Sequence, residues 1–315
     1  MYNAIIIGAG KVGSSFDSPF SKKILTHAHA YTFHSGFNLL GFIDPNKENL
    51  ENALSKWGGN GYENIEDAFA QYSSIDVISI ASPDQFHFEH LKQLLKLKLK
   101  LIFIEKPLVL FPNDLEEIQK LDVQSNNFPQ IVVNYSRRFI PEIMVMAERI
   151  HKGEFGKFIS GRGIYGKGLI HNGSHIIDLL RMFFKSVKAK RLFEKITDWE
   201  EASVRAELVI DDGYFILDVY PCTLGTLFEI DLLFEKGRIR FEDGGWVIKI
   251  YKPVSSETFS KYKFIKEIET INSSMDSAIY YAVDSIYRRL KDHTPILCSL
   301  NDGIEALKIC YDLLE

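Results

Sequence analysis

The amino-acid sequence predicts an α/β N-terminal domain with a doubly wound parallel sheet, followed by an α+β C-terminal domain with a large, mostly antiparallel open sheet. Three observations predict it. Early in the chain, short apolar runs alternate with helical patterns, as expected of strands covered on both faces. The first run ends in a glycine-rich turn, G-A-G-K-V-G at 8–13. Beyond Lys157 the pattern changes to short strands with period-two alternation and glycine-bearing turns.

The elements follow in order. Residues 4–7, 37–43, 76–80 and 101–104 read as buried strands. Helical patterns lie between them at 22–35 (capped by Ser21 and stopped by Gly36), 45–57, 66–72 and 86–97. One more apolar strand is expected at 130–134 and a helix at 141–151. In 204–210, Val204, Ala206, Leu208 and Ile210 share one face, with Arg205 and Glu207 on the other. Strands at 214–220, 226–234, 238–241 and 246–251 continue this style, and their turns carry Gly213, Gly225, Gly237 and Gly244-Gly245. Such a sheet needs a cover, and the helix at 173–184 is the candidate. Helices at 275–291 and 301–314 close the chain. The expected domains are 1–122 and 123–315, with the last helix free to pack back on the first.

Composition sets bounds. The 315 residues are 46% hydrophobic and 25% charged with a net charge of −5, which gives no reason to expect nucleic-acid or membrane binding. Cys222, Cys298 and Cys310 form no C-x-x-C pair, in keeping with reduced thiols. The N-terminus enters a strand at once, without a signal-peptide pattern, so a cytoplasmic location is expected. The lysine-rich run at 91–101 reads as a solvated helix leading into a buried strand rather than a membrane-surface helix.

Each glycine of the turn has a physical task. Gly8 permits the tight bend, Gly10 lets backbone amides approach a pyrophosphate, and Gly13 allows close helix–strand packing. Lys11 and Val12 stand between them. Asp44, closing the second strand, is expected to bind adenosine ribose hydroxyls, with capping of the following helix as the alternative. No arginine follows it, so NAD is favoured over NADP. Asp44 lies further from Gly13 than the usual 20 or so residues, so 14–20 (SSFDSPF) reads as an insertion whose serines could touch phosphate.

Glu105-Lys106-Pro107 follows the fourth strand. Pro107 holds Lys106 out of helical geometry at the strand tip, where ligands bind in such sheets. A lysine there can donate to a substrate hydroxyl, although taken alone the motif also fits a surface turn.

Together, G-x-G-x-x-G at 8–13, A-S-P at 81–83 with His87, E-K-P at 105–107, N-Y-S-R-R-F at 134–139 and N-G-S-H-I-I-D at 172–178 resemble the Gfo/Idh/MocA oxidoreductases over nearly the whole chain. Pro295 and Asn301-Asp302-Gly303 fit the same pattern. The resemblance implies a Rossmann domain, then a domain whose open sheet mediates homodimers or homotetramers. It implies hydride transfer between a nicotinamide and a secondary alcohol of a cyclitol, sugar or nucleotide-sugar. By resemblance Lys106 is the catalytic lysine, joined to Pro107 by a cis peptide. Ala81, Ser82, Pro83 and His87 form the loop near the nicotinamide, and Glu105 is a cofactor contact.

His175 matches the family's acid/base histidine, and Asp178, one helical turn on, can orient it or favour the helix dipole. The family places aspartate where this chain has His171, so His171 is read as a substrate contact or a substitute acid/base. His171 and His175 lack the glutamate and third ligand of a zinc motif, so no metal is expected. Tyr165, Lys167 and Asn172 are candidate contacts for sugar hydroxyls. Arg137 and Arg138 would bind a substrate anion or brace the domain junction. A cofactor-dependent regulator without catalysis, and a lyase or hydrolase that cycles a retained NAD, stay open as alternatives.

Overall fold

The computed structural model describes residues 1–121, 128–197, 201–221, 223, 225, 227–259 and 261–315. The expected domain boundary at 122/123, Cys222 and the start of the strand predicted from 226 lie outside them. By internal contacts the chain forms two units. The first is Met1–Phe139 with Asp276–Ile304; the second is Ile140–Met275 with Glu305–Glu315.

In the first unit, strands β1 (Tyr2–Ile7), β2 (Phe37–Ile43), β3 (Asn60–Tyr62), β4 (Val77–Ile80), β5 (Leu101–Glu105) and β6 (Gln130–Asn134) form one parallel sheet in the order β3-β2-β1-β4-β5-β6. This is the Rossmann order, with its crossover at β1. The central strand β4 is buried at every position, so its sequence is apolar but for Ser79, whose hydroxyl is bonded to the Tyr31 hydroxyl (2.8 Å). β6 pairs with β5 and so belongs to this sheet, beyond the boundary expected from the sequence.

Helices α1 (His27–Phe33), α2 (Lys47–Trp57), α3 (Ile65–Gln71), α4 (His87–Leu94) and α5 (Pro112–Gln119) connect the strands. Asn46 and Asn64 cap α2 and α3 through their side chains. α1 is shorter than the predicted 22–35 and is capped by Thr26, not Ser21. The cause is Asp17. Its buried carboxylate accepts the Leu25 N–H (2.6 Å) and the Thr26 hydroxyl (2.6 Å) and pairs with His29 Nδ1 (2.9 Å), closing the insertion as a loop. Ser21 instead makes a local turn with Lys23.

The second unit opens with α6 (Pro141–His151). Its sheet contains β7 (Phe158–Tyr165), β8 (Val187–Ile196), β9 (Ser203–Ile210), β10 (Gly213–Val219), β11 (Phe228–Phe234), β12 (Gly237–Glu242), β13 (Val247–Ser255) and β14 (Lys263–Asn272). The order is β14-β13-β12-β11-β7-β10-β9-β8, antiparallel except for β7 with β10. Val204, Ala206, Leu208 and Ile210 are all fully buried, as their alternation predicts. Helix α7 (Ser174–Phe183) covers this face, with Phe183 stacked on Phe241 at 5.4 Å between ring centroids.

The opposite face is open and charged. Arg205 pairs with Asp218 (2.9 Å), and Arg240 and Lys249 both pair with Glu242 (2.8 and 2.9 Å).

Helix α8 (Ala278–Asp292) returns to the first unit, where Asp284 pairs with His34 (3.3 Å) and Tyr287 lies against Gly36. Helix α9 (Leu300–Leu314) begins in the first unit, with Gly303 packed on Val133, and ends in the second. No helix of the described residues is long and apolar enough to cross a membrane.

Candidate functional site

The glycine turn is built by close approach. Gly8 has φ +95°, and a Cβ there would lie 2.5 Å from the Ser82 amide nitrogen. A Cβ on Gly13 would lie 1.9 Å from the Gly8 carbonyl oxygen. Only glycine lets these segments touch. A Cβ on Gly10 would meet nothing within 4 Å, so this glycine leaves open space rather than filling a protein contact. Lys11–Ser15 then forms one wide helical turn. Ser14 is buried and donates to the Ala9 carbonyl (2.6 Å), so the hydroxyl suggested for phosphate serves the turn itself.

Asp44 closes the other side. Its Oδ2 accepts the Ala9 N–H (2.8 Å) and Asn49 Nδ2 (3.2 Å), and its Oδ1 accepts the Asn46 N–H (2.9 Å). It therefore ties the glycine turn to the end of β2, while Asn46 takes the capping role. A carboxylate offers about four acceptor positions, so capacity remains for a ligand hydroxyl. A cleft of about 760 Å³ runs between Gly10, Lys11, Asp44, Glu63, Ser82 and His90. Three carboxylates line it, those of Asp44, Glu63 and Glu66.

At the tip of β4, Ala81, Ser82 and Pro83 line that cleft. His87 does not. Its buried ring spans two carbonyls, with Nδ1 at 2.7 Å from Pro107 O and Nε2 at 3.0 Å from Ser82 O. It braces the loop after β4 against the loop after β5 and does not itself line the cleft. Lys106–Pro107 is cis, as expected.

Glu105 accepts Asn134 Nδ2 (2.5 Å) and pairs with His27 Nε2 (2.9 Å). Burial pushes its carboxyl up, but the hydrogen bond and charge of His27, the Asn134 bond and the Lys106 charge outweigh this and hold it below its ordinary value. Lys106 thus follows a buried carboxylate that stays ionised. Arg138 is buried and bound to Asp302 (3.1 Å) and the Leu297 carbonyl (3.3 Å). It ties the turn after β6 to the start of α9, the bracing alternative weighed for it in the sequence.

In the second unit, a wide turn, Gly168–Gly173, leads into α7. Lys167 precedes it in the left-handed region (φ +58°) and is exposed. His171 and Asn172 are half-buried on the turn, and His175 is buried in the first turn of α7 with Asp178. Tyr165 is fully buried. Its hydroxyl accepts the Val204 N–H (2.8 Å) and donates to the Val204 carbonyl (3.0 Å), and burial pushes the phenol up. The expected sugar contact is therefore a structural tie. No group of three or more metal-ligating side chains is found among the described residues.

Sequence reasoning missed four participants. His27 stands beside Glu105. His90 hydrogen-bonds Ser82 (Nδ1 to Oγ, 3.0 Å), and burial, then the charge of His87, hold its imidazole below the ordinary value. Glu63 lines the cleft from the end of β3. Glu201 lies 2.6 Å from His171 Nδ1 although the two are 30 residues apart in sequence. No local pattern marks such pairs, because each forms only when separate helices, turns and loops fold together.

With this geometry in view, comparison places the chain. An inositol 2-dehydrogenase of Corynebacterium glutamicum (strain R) is 28% identical over 162 residues, 51% of this chain and 44% of that protein. The chain thus spans under half the length of that relative. Glucose-6-phosphate 3-dehydrogenase of Bacillus subtilis (strain 168) is 26% identical over 96% of this chain and 78% of its own. An oxidoreductase from Agrobacterium radiobacter, solved with NAD+, L-tartaric acid and magnesium, shares the fold with a TM-score of 0.73 at 16% identity, covering 99% of this chain and 96% of its own. Residues 2–133 match the GFO_IDH_MocA family, described as "Oxidoreductase family, NAD-binding Rossmann fold". Over that segment, which carries the glycine turn, Asp44 and Lys106, the chain is similar to the Gfo/Idh/MocA oxidoreductase family.

Proposed function

We propose that the protein is an NAD-dependent dehydrogenase or reductase that moves hydride between the nicotinamide and a secondary alcohol or ketone of a polyol, sugar or nucleotide-sugar. The observation that carries this reading is the cleft at Gly10: backbone left bare of any side chain, opposite a carboxylate and beside the loop after β4, which His87 ties to the loop after β5 where Lys106 stands. The named relatives, one acting on inositol and one on glucose 6-phosphate, support the substrate class.

The residues fit a dinucleotide. Bare amides around Gly10, with Lys11, suit a pyrophosphate, and the remaining acceptor capacity of Asp44 suits ribose hydroxyls. Three carboxylates along the cleft disfavour a 2′-phosphate, so NAD is preferred over NADP. When bound, the nicotinamide supplies the hydride acceptor. Lys106 then holds a hydrogen bond to the substrate oxygen, and His175 takes the hydroxyl proton. His87 keeps the loops after β4 and β5 in register. The open face of the eight-stranded sheet is proposed as the surface of a homodimer or homotetramer. A cytoplasmic location belongs to the same reading, supported by the free thiols of Cys298 and Cys310.

The test is NADH formation from NAD+ across a panel of myo-inositol, glucose 6-phosphate and UDP-N-acetylglucosamine. Lys106→Ala is expected to lower kcat about 100-fold or more and to leave NADH affinity within about threefold. Full turnover in that variant removes the lysine from the mechanism. NADH binding without turnover by the wild-type protein on the whole panel counts against the dehydrogenase.

A further inference from the structure

We infer that His27, the first residue of α1, is a positioning residue for Lys106 that acts through the Glu105 carboxylate. The inference rests on the function proposed above, in which Lys106 holds a hydrogen bond to the substrate oxygen.

Glu105 ends β5, directly before the lysine, and pairs in register with Asn134 of β6. His27 Nε2 (2.9 Å) and Asn134 Nδ2 (2.5 Å) both reach its Oε1, one from a helix and one from a neighbouring strand. An ionised carboxylate only accepts hydrogen bonds, so His27 Nε2 carries a proton. The His27 side chain is fully buried, and its ring lies 4.9 Å from that of Phe103. Phe103 stands two residues before Glu105, on the same face of β5. Beyond the lysine, the Pro107 carbonyl accepts from His87 Nδ1 (2.7 Å). The residues before and after Lys106 are thus both fastened, each by the first histidine of a different helix.

Stability alone does not account for this arrangement. Among the described residues, His27 Nδ1 and Asn134 Oδ1 are buried without a hydrogen-bond partner. Each side chain leaves one polar atom unbonded so that the other can reach Glu105, where apolar side chains would pack at less cost. The gain is a fixed charge. The groups facing the Glu105 carboxyl are His27 from α1, Asn134 from β6 and Lys106 beside it, and together they keep it ionised against burial. A negative charge there favours the ammonium form of the lysine, which donates more strongly than a neutral amine. Asp17 prepares the contact from a distance, since the loop it closes makes α1 begin at His27.

The first arm of the test follows the lysine itself and needs no substrate. Lysines are converted to isotope-labelled dimethyl-lysines, which keep their charge, and the Lys106 signal in NMR spectra is identified by its loss in Lys106→Arg. In His27→Leu the titration of Lys106 is expected to move to lower pH by about half a unit or more. Glu105→Gln is expected to do the same, and His27→Leu added to it to shift nothing further. His27→Gln, whose Nε2 still donates, is expected to titrate nearly as the wild type does. An unmoved titration in His27→Leu, or shifts that add in the double variant, overturns the inference whatever the protein turns over. The second arm measures NADH formation from NAD+ with myo-inositol and glucose 6-phosphate. There His27→Leu is expected to lower kcat about tenfold at unchanged KM for NAD+, and His27→Gln to restore most of it. An equal loss in both variants overturns the inference. Wild-type protein that turns over neither compound, while the lysine shifts as expected, supports the role of His27 and counts against the polyol and sugar reading.

Discussion

Two glycines of one turn make opposite demands on a methyl group. A Cβ at Gly13 collides with the Gly8 carbonyl oxygen, whereas one at Gly10 enters open space. Gly13→Ala is therefore expected to distort the turn itself, lowering both the melting temperature and NADH affinity. Gly10→Ala is expected to melt as the wild type does, yet bind NADH about tenfold or more weakly, because the methyl occupies the approach of the pyrophosphate. Calorimetric melting with NADH titration checks both; unchanged NADH affinity in Gly10→Ala would show that nothing approaches that backbone. At this scale the close packing of Gly8 and Gly13 and the cis Lys106–Pro107 bond were readable, because short-range turn chemistry constrains them. Tyr165 was harder to read, because its hydroxyl looks available until its burial and its bonds to Val204 are known.

Elements were legible where one face is buried, and illegible at edges. The predicted α6 matches its observed bounds, and β9 begins one residue before the predicted 204. Strands β8 and β14 went unread because they flank the sheet and are exposed at most positions, so no alternation marks them. The end of α6 carries its own electrostatics. Glu154 receives Arg149 through two nitrogens (2.8 and 2.9 Å) and Lys252 of β13 (2.8 Å). Those bonds, Arg149 first, pull its carboxyl down to about 2. The ionised form is thus favoured by folding. Its stabilisation is complete above the ordinary carboxylate value of 4.5 and disappears as pH falls from there toward about 2. Because the cluster is partly solvated, Glu154→Gln is expected to cost about 1 kcal/mol or less at pH 7. Urea midpoints of variant and wild type should draw together on acidification below pH 4.5. A gap that stays constant with pH would remove the charge from the explanation.

For the whole chain, the order of fold classes was readable, while the division into units was not. The last helix was expected to be free to pack back on the first domain, but the return of α8 as well, through packing on α1, was not read. Those contacts depend on residues such as His34 and Gly303, whose partners lie far away in sequence. The open sheet face bears on assembly. Tyr214, Leu233 and Ile265 stand exposed beside the ion pairs there. Tyr214→Glu with Leu233→Arg is expected to convert the proposed oligomer into monomer by analytical ultracentrifugation, with the melting temperature of the fold maintained. An unchanged sedimentation coefficient relocates the interface.

The insertion closed by Asp17 changes how an anion would be received. With α1 delayed to His27, the wide turn Lys11–Ser15 stands alone after Gly10. So short a turn aligns few peptide dipoles. Neutralisation of a bound phosphate then falls on individual amides and on the exposed Lys11 ammonium. An ammonium in solvent is screened by mobile ions far more than a buried dipole. Cofactor retention in this protein should accordingly weaken as ionic strength rises, a sensitivity written into the chain by where one loop was spliced.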